Sequence, residues 1–123
     1  MTIADTDVLI DYLTGTGAAD TVEQLLRKSA LRTTVITRFE LLSGAKNQKQ
    51  LDRLLQLLAA VPTLALDDAA ADRASEIRRS LDRVGHPIGM ADSLIAGIVI
   101  SSGGALLTRN RRHFERVTEL KLA

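Results

Sequence analysis

The side chains able to do chemistry in this sequence are mostly oxygen donors. Asp5 and Asp7 stand near the start, followed by Thr37 and Glu40, then Asp92, then Thr108 and Asn110. There is no cysteine, and the two histidines, His86 and His113, are too few for a histidine metal site. A set of carboxylates with Asn and Thr suits a hard cation such as Mg²⁺, which takes oxygen ligands and keeps waters and phosphate oxygens around it. Carboxylates brought together repel and hold their protons more tightly unless a cation neutralises them. The matching chemistry is phosphodiester cleavage, in which a cation supplies an activated water and stabilises the leaving oxygen.

Each group also has a plainer use. Asp5 and Asp7 suit the cap of a following helix. Thr37-x-x-Glu40 fits a capping box. Asp92 suits a helix N-terminus, yet its neighbours Ala91, Leu94 and Ile95 read as buried, and a carboxylate among them needs a partner. Asn110 suits a turn, and the two histidines suit surface or packed positions. Arg109, Arg111, Arg112 and Arg116 form a basic cluster. A solvated face is its default, and beside an acidic site it could hold a phosphate backbone. Lys46, Lys49 and Arg53 make a weaker second patch.

The elements that must position these residues alternate short apolar runs with longer helical patterns, the mark of a parallel sheet covered by helices. Strands are expected at Thr2–Ala4, Leu31–Val35, Thr63–Leu66 and Ala105–Leu107, with a last edge strand or tail at Val117–Leu122. Helices are expected from Val8, over Ala18–Ser29, Ile36–Ser43 and Asn47–Ala60, and from Asp67 or Asp68 to about Val84. Further helices fall at Met90–Ser102 and Arg109–Arg116. In Asn47–Ala60 the stripe Leu51, Leu54, Leu55 and Leu58 has helical spacing, with Leu57 beside it. Met90–Ser102 is apolar nearly all round, so it is expected to be buried on most sides. In open parallel sheets ligands bind beyond the carboxyl ends of the strands, where Asp5, Thr37, Glu40, Thr108 and Asn110 fall.

Composition narrows the classes. The 123 residues are 46% hydrophobic and 25% charged, as in one ordinary globular domain spanning residues 1–123. Without cysteine, disulfide scaffolds, thiolate zinc sites and iron–sulfur clusters are excluded. Tyr12, Phe39 and Phe114 are the only aromatics, which disfavours modules that stack bases on aromatic platforms. The net charge of +1 neither implies nor forbids a nucleic-acid partner. The run Leu94–Ile100 falls far short of the ~20 residues of a membrane span, and no signal peptide is visible. A cytoplasmic location is the expectation. There is no G-x-S-x-G, P-loop or G-x-G-x-x-G.

Four segments, taken together, resemble PIN-domain ribonucleases, specifically VapC-type toxins of toxin–antitoxin pairs. They are Asp5-Thr6-Asp7-Val8-Leu9-Ile10, Thr37-x-x-Glu40-Leu41, Ala91-Asp92-Ser93-Leu94-Ile95-Ala96 and Leu107-Thr108-Arg109-Asn110-x-x-His113-Phe114. The resemblance covers essentially the whole chain. It implies a three-layer α/β/α domain with a short, mainly parallel sheet of four or five strands. It implies that Asp5, Glu40 and Asp92 are acidic metal-site positions, that Asn110 stands where Asp is frequent, and that Thr108 is a hydroxyl residue beside the site. It also implies Mg²⁺ or Mn²⁺, internal cleavage of an RNA such as tRNA or rRNA, a homodimer, and inhibition by a VapB-type antitoxin. Promoter DNA is expected to be bound only through that antitoxin. Asn110 lacks a negative charge, so one well-held ion is expected.

Other readings of the residues are an inactive PIN-like scaffold that binds RNA or protein, a haloacid-dehalogenase phosphatase and a receiver-type signalling domain. In the phosphatase, Asp5-x-Asp7 would be the nucleophile motif, but Leu9 stands where Thr or Val is usual. In the receiver, Asp67 would be the phosphoacceptor, but no Lys is suitably placed.

Overall fold

A computed structural model describes residues 1–123. The chain runs β1 (Thr2–Ala4), α1 (Thr6–Thr14), α2 (Ala19–Arg27), β2 (Leu31–Thr34), α3 (Val35–Ser43), α4 (Gln48–Ala59) and β3 (Thr63–Leu64). It continues with α5 (Asp68–Arg83), α6 (Met90–Ser102), β4 (Ala105–Leu107) and α7 (Arg111–Phe114). The sheet order is β3-β2-β1-β4, and every pairing is parallel. Thr2 sits opposite Leu31 and Ala105, and Ala4 opposite Thr33 and Leu107. The strands therefore end level, and the residues after each strand emerge on a common edge.

Strand side chains alternate between faces, and the two faces carry separate cores. Ile3 and Leu106 pack with Ile77, Leu81, Ile95, Val99 and Phe114, under α5, α6 and α7. Ala4 packs with Val8, Leu9, Val22, Leu41, Leu54 and Leu58, under α1 to α4. The result is the expected α/β/α sandwich, with four strands. Gly97 is where α5 and α6 touch: a Cβ there would lie 2.5 Å from the Ala70 carbonyl oxygen. Only glycine lets the backbones approach so closely.

Several local expectations change. Of the two readings of Val117–Leu122, edge strand or tail, the tail holds, with Leu122 alone bridging to Leu106. The basic helix shortens to Arg111–Phe114, and the third strand to Thr63–Leu64. On α4 the buried leucines are Leu54, Leu57 and Leu58, while Leu55 is 41% exposed. The inner face is thus centred between Leu54 and Leu58 and includes Leu57 rather than Leu55. Thr37 does not cap α3. That cap is Thr34, whose hydroxyl accepts from the Thr37 amide at 3.1 Å, so the capping-box reading of Thr37 and Glu40 falls away. Ala91 and Leu94 are half-buried rather than buried.

Candidate active site

The level carboxyl edge of the sheet gathers the polar residues. Asp5 directly follows β1, and its amide extends the ladder to the Leu107 carbonyl at 2.9 Å. Asp5 is buried. One of its oxygens accepts from the Thr6 amide at 2.8 Å and the other from the Thr108 hydroxyl at 2.7 Å. Asp5 is the N-cap of α1, as the cap reading expected, and it also turns its second oxygen to Thr108, which capping does not require. The Thr108 hydroxyl in turn accepts from the Asn110 amide at 3.0 Å. These bonds lock the turn after β4 onto the end of β1.

A second group joins through Thr6. Its hydroxyl lies 2.8 Å from Glu40 Oε1 and 3.1 Å from Thr37 Oγ1. An ionised carboxylate only accepts, so the Thr6 hydrogen goes to Glu40, and Thr37 supplies the hydrogen between the threonines. Glu40 is thereby fixed on α3 above β2. Asp92, in the first turn of α6, is half-buried, and His113 Nδ1 lies 3.5 Å from its carboxylate. Asn110 Nδ2 lies 3.1 Å from the same ring nitrogen. His113, expected to be an ordinary surface or packed residue, stands between two candidate site residues.

Burial pushes the Asp5 carboxyl up to about 6, despite the opposing hydrogen bonds from Thr108 and Thr6. The negative charges of Asp7 and Asp92 push it the same way. Asp7 itself accepts from the Arg109 amide at 3.1 Å, while its Oδ1 is buried with no hydrogen-bond partner. No three acidic or histidine side chains stand close enough to grip an ion as they are. The donors nevertheless fit a hard cation chemically. They are oxygens, no Lys or Arg forms an ion pair with Asp5, Asp7, Glu40 or Asp92, and one buried lone-pair atom is unused.

The arginines do not form one row. Arg109 Nε bonds Asp11 Oδ2 at 2.7 Å. Arg111 donates to the Ala123 carbonyl oxygen at 2.7 Å. Arg112 is exposed, and Arg116 lines a separate crevice with Arg73 and Glu119 against α5. Of the weaker patch, Arg53 donates to the Leu13 carbonyl at 2.9 Å. Sequence reasoning missed Asp11. The available signal was its position one helical turn after Asp7, on the same face of α1.

A three-layer domain that brings Asp, Glu and Thr to the carboxyl edge of a parallel sheet gathers oxygen donors where such sheets bind ligands. The PIN domain family model matches residues 2–120. The chain is 37% identical over 90 residues to the tRNA(fMet)-specific endonuclease VapC of Shigella flexneri, across 70% of this chain and 68% of that one. It is 32% identical over 131 residues to Ribonuclease VapC11 of Mycobacterium tuberculosis (strain H37Rv), across 100% and 98%. Among solved structures, VapBC-1 from nontypeable Haemophilus influenzae superposes with a TM-score of 0.84 at 26% identity, covering 99% of this chain and 96% of that one. DNA-bound VapBC from Salmonella typhimurium gives 0.82 at 28%, with the same coverage. The chain belongs to the PIN-domain family, among the VapC-type ribonucleases.

Proposed function

We propose that this protein is a Mg²⁺-dependent endoribonuclease, with Mn²⁺ as a substitute, that hydrolyses internal phosphodiester bonds of a tRNA or rRNA as the toxin of a toxin–antitoxin pair. The observation that carries it is the buried Asp5 carboxylate, which faces the charges of Asp7 and Asp92 with no cation of the protein's own beside it. Asp5 and Asp92 would hold the ion, with Glu40 as a ligand directly or through water. When bound, the ion would supply Lewis acidity toward the phosphate and lower the pKa of an attacking water. Thr108 holds Asp5 and Thr6 holds Glu40 at the same edge of the sheet, and binding would draw these carboxylates closer together. Asn110 would orient water or a second-ion position without adding charge. Arg112 would meet the RNA backbone, with Arg111 and Arg116 at the margins.

A VapB-type antitoxin, a homodimer, and promoter contact only through the antitoxin belong to the same proposal, supported by the likeness to the two VapBC structures named above. A cytoplasmic location is also part of it; no helix is long and apolar enough to cross a membrane. The tRNA class is the first to test, because the Shigella flexneri relative is named for one.

The test is incubation of purified, antitoxin-free protein with total cellular RNA in Mg²⁺ or Mn²⁺, beside EDTA and Asp92→Asn controls. Discrete fragments that disappear in both controls are expected. Metal binding without cleavage would favour the inactive scaffold, for which the neutral Asn110 is the relevant observation. Equal cleavage by Asp92→Asn would remove the metal-site assignment.

A further inference from the structure

We propose that Asp11 and Arg109 form an internal latch that positions the Thr108–Asn110 turn against α1. Arg109 is thereby a positioning residue rather than an RNA contact. The inference rests on the nuclease reading above only for its effect on turnover.

Asp11 lies on α1 one turn beyond Asp7, with its side chain 6% exposed. Its Oδ2 receives Arg109 Nε at 2.7 Å and the Ala18 amide at 3.0 Å. The chain after α1 closes directly over this carboxylate. Gly17 has φ +51, and a Cβ there would stand 2.3 Å from Asp11 Oδ2. The pocket is therefore built around the carboxylate, which leaves it little access to water.

Arg109 is held at both ends. Its backbone amide donates to Asp7 Oδ2 at 3.1 Å, and its guanidinium reaches Asp11. The residues on either side carry the site: Thr108 bonds Asp5, and Asn110 bonds back to Thr108. Two carboxylates of one helix thus fix the residue between Thr108 and Asn110. For Arg109 to leave and bind a phosphate, the buried Asp11 would keep the Ala18 amide but lose its cation partner, which is unfavourable. The guanidinium edge left exposed is the outer face of this ion pair.

The experiment uses Asp11→Asn, Arg109→Gln and the double variant of the full chain. Asn keeps an oxygen for the Ala18 amide while removing the charge. In urea unfolding each single change is expected to raise the unfolding constant about tenfold, with the double variant no worse than either single. Additive losses would overturn the latch. Amide exchange at residues 108–110 is expected to accelerate in Asp11→Asn, although that substitution lies on a different element. Unchanged exchange would overturn the positioning role. Neither readout needs catalysis, so both stand even if the wild-type protein cleaves no RNA and the nuclease reading fails.

Where cleavage is observed, both single variants are expected to lower kcat about tenfold or more, with RNA Kd and its salt dependence unchanged. A phosphate contact predicts the reverse: Arg109→Gln alone would weaken RNA binding and reduce the salt slope by about one, while Asp11→Asn would not. That pattern would overturn the inference. Coupled stability with unchanged kcat would also refute the positioning role.

Discussion

Replacing Asp5 by Asn should stabilise the metal-free protein at alkaline pH, although it removes a central side chain of the site. Burial, with the charges of Asp7 and Asp92, lifts the folded-state value from 3.8 to about 6. The folded protein therefore keeps a proton that the unfolded chain has released. This group's contribution to stability is greatest below pH 3.8, declines as pH rises toward about 6, and is flat above that. The gap corresponds to about 3 kcal/mol of penalty on the charged form. Asn removes the penalty but weakens the bond with Thr108, at a cost of about 1 kcal/mol. The net expectation at about pH 8, with EDTA present, is a gain of about 1–2 kcal/mol. Urea titrations of both proteins at about pH 8 and about pH 4 measure it, and the gain should vanish or reverse at the lower value. If Asp5 holds the ion as proposed, adding Mg²⁺ should then stabilise the wild type and leave Asp5→Asn unmoved. A variant less stable than wild type by the same amount at both pH values would refute the reasoning.

Other substitutions probe the frame around the site. Thr6→Val removes the hydroxyl that holds Glu40 and meets Thr37. It should weaken Mn²⁺ affinity about tenfold, measured by calorimetry, while costing only about 1 kcal/mol of stability. Gly97→Ala would press a methyl onto the Ala70 carbonyl. The clash should outweigh the ~1 kcal/mol gained in helix propensity and leave a net loss of about 1–2 kcal/mol in urea unfolding. Phe114→Ala empties a position with 0% exposure beside His113 and should cost about 3–5 kcal/mol by the same assay.

The fold was legible where a pattern was local. The cap at Asp67, the stop at Gly103, and the strands at Thr2–Ala4 and Ala105–Leu107 stand as read. Legibility failed where tertiary packing decides. Leu55 and Leu57 both lie near an apolar stripe, and only the placement of α4 against Val61 and Val22 selects Leu57. The end of the chain has strand-like residues but pairs with the sheet through a single bridge at Leu122. At the candidate site, residue type and strand order offered Asp5, Asp7, Thr37, Glu40, Asp92, Thr108 and Asn110, and the family resemblance narrowed them to Asp5, Glu40, Asp92, Thr108 and Asn110. The bonds among them were not. Thr6 bridging Glu40, His113 beside Asp92 and Asp11 claiming Arg109 depend on side chains from distant segments. No spacing rule along one chain encodes those meetings.

In the proposed function, the charge gathered around Asp5 receives a divalent cation. Diffraction from crystals soaked in Mn²⁺, with data collected for its anomalous signal, tests this most directly. One strong peak is expected at about 2.1 Å from carboxylate oxygens of both Asp5 and Asp92, lost in Asp92→Asn crystals. A well-ordered site with no peak there, or with Mn²⁺ bound away from Asp5, would contradict it.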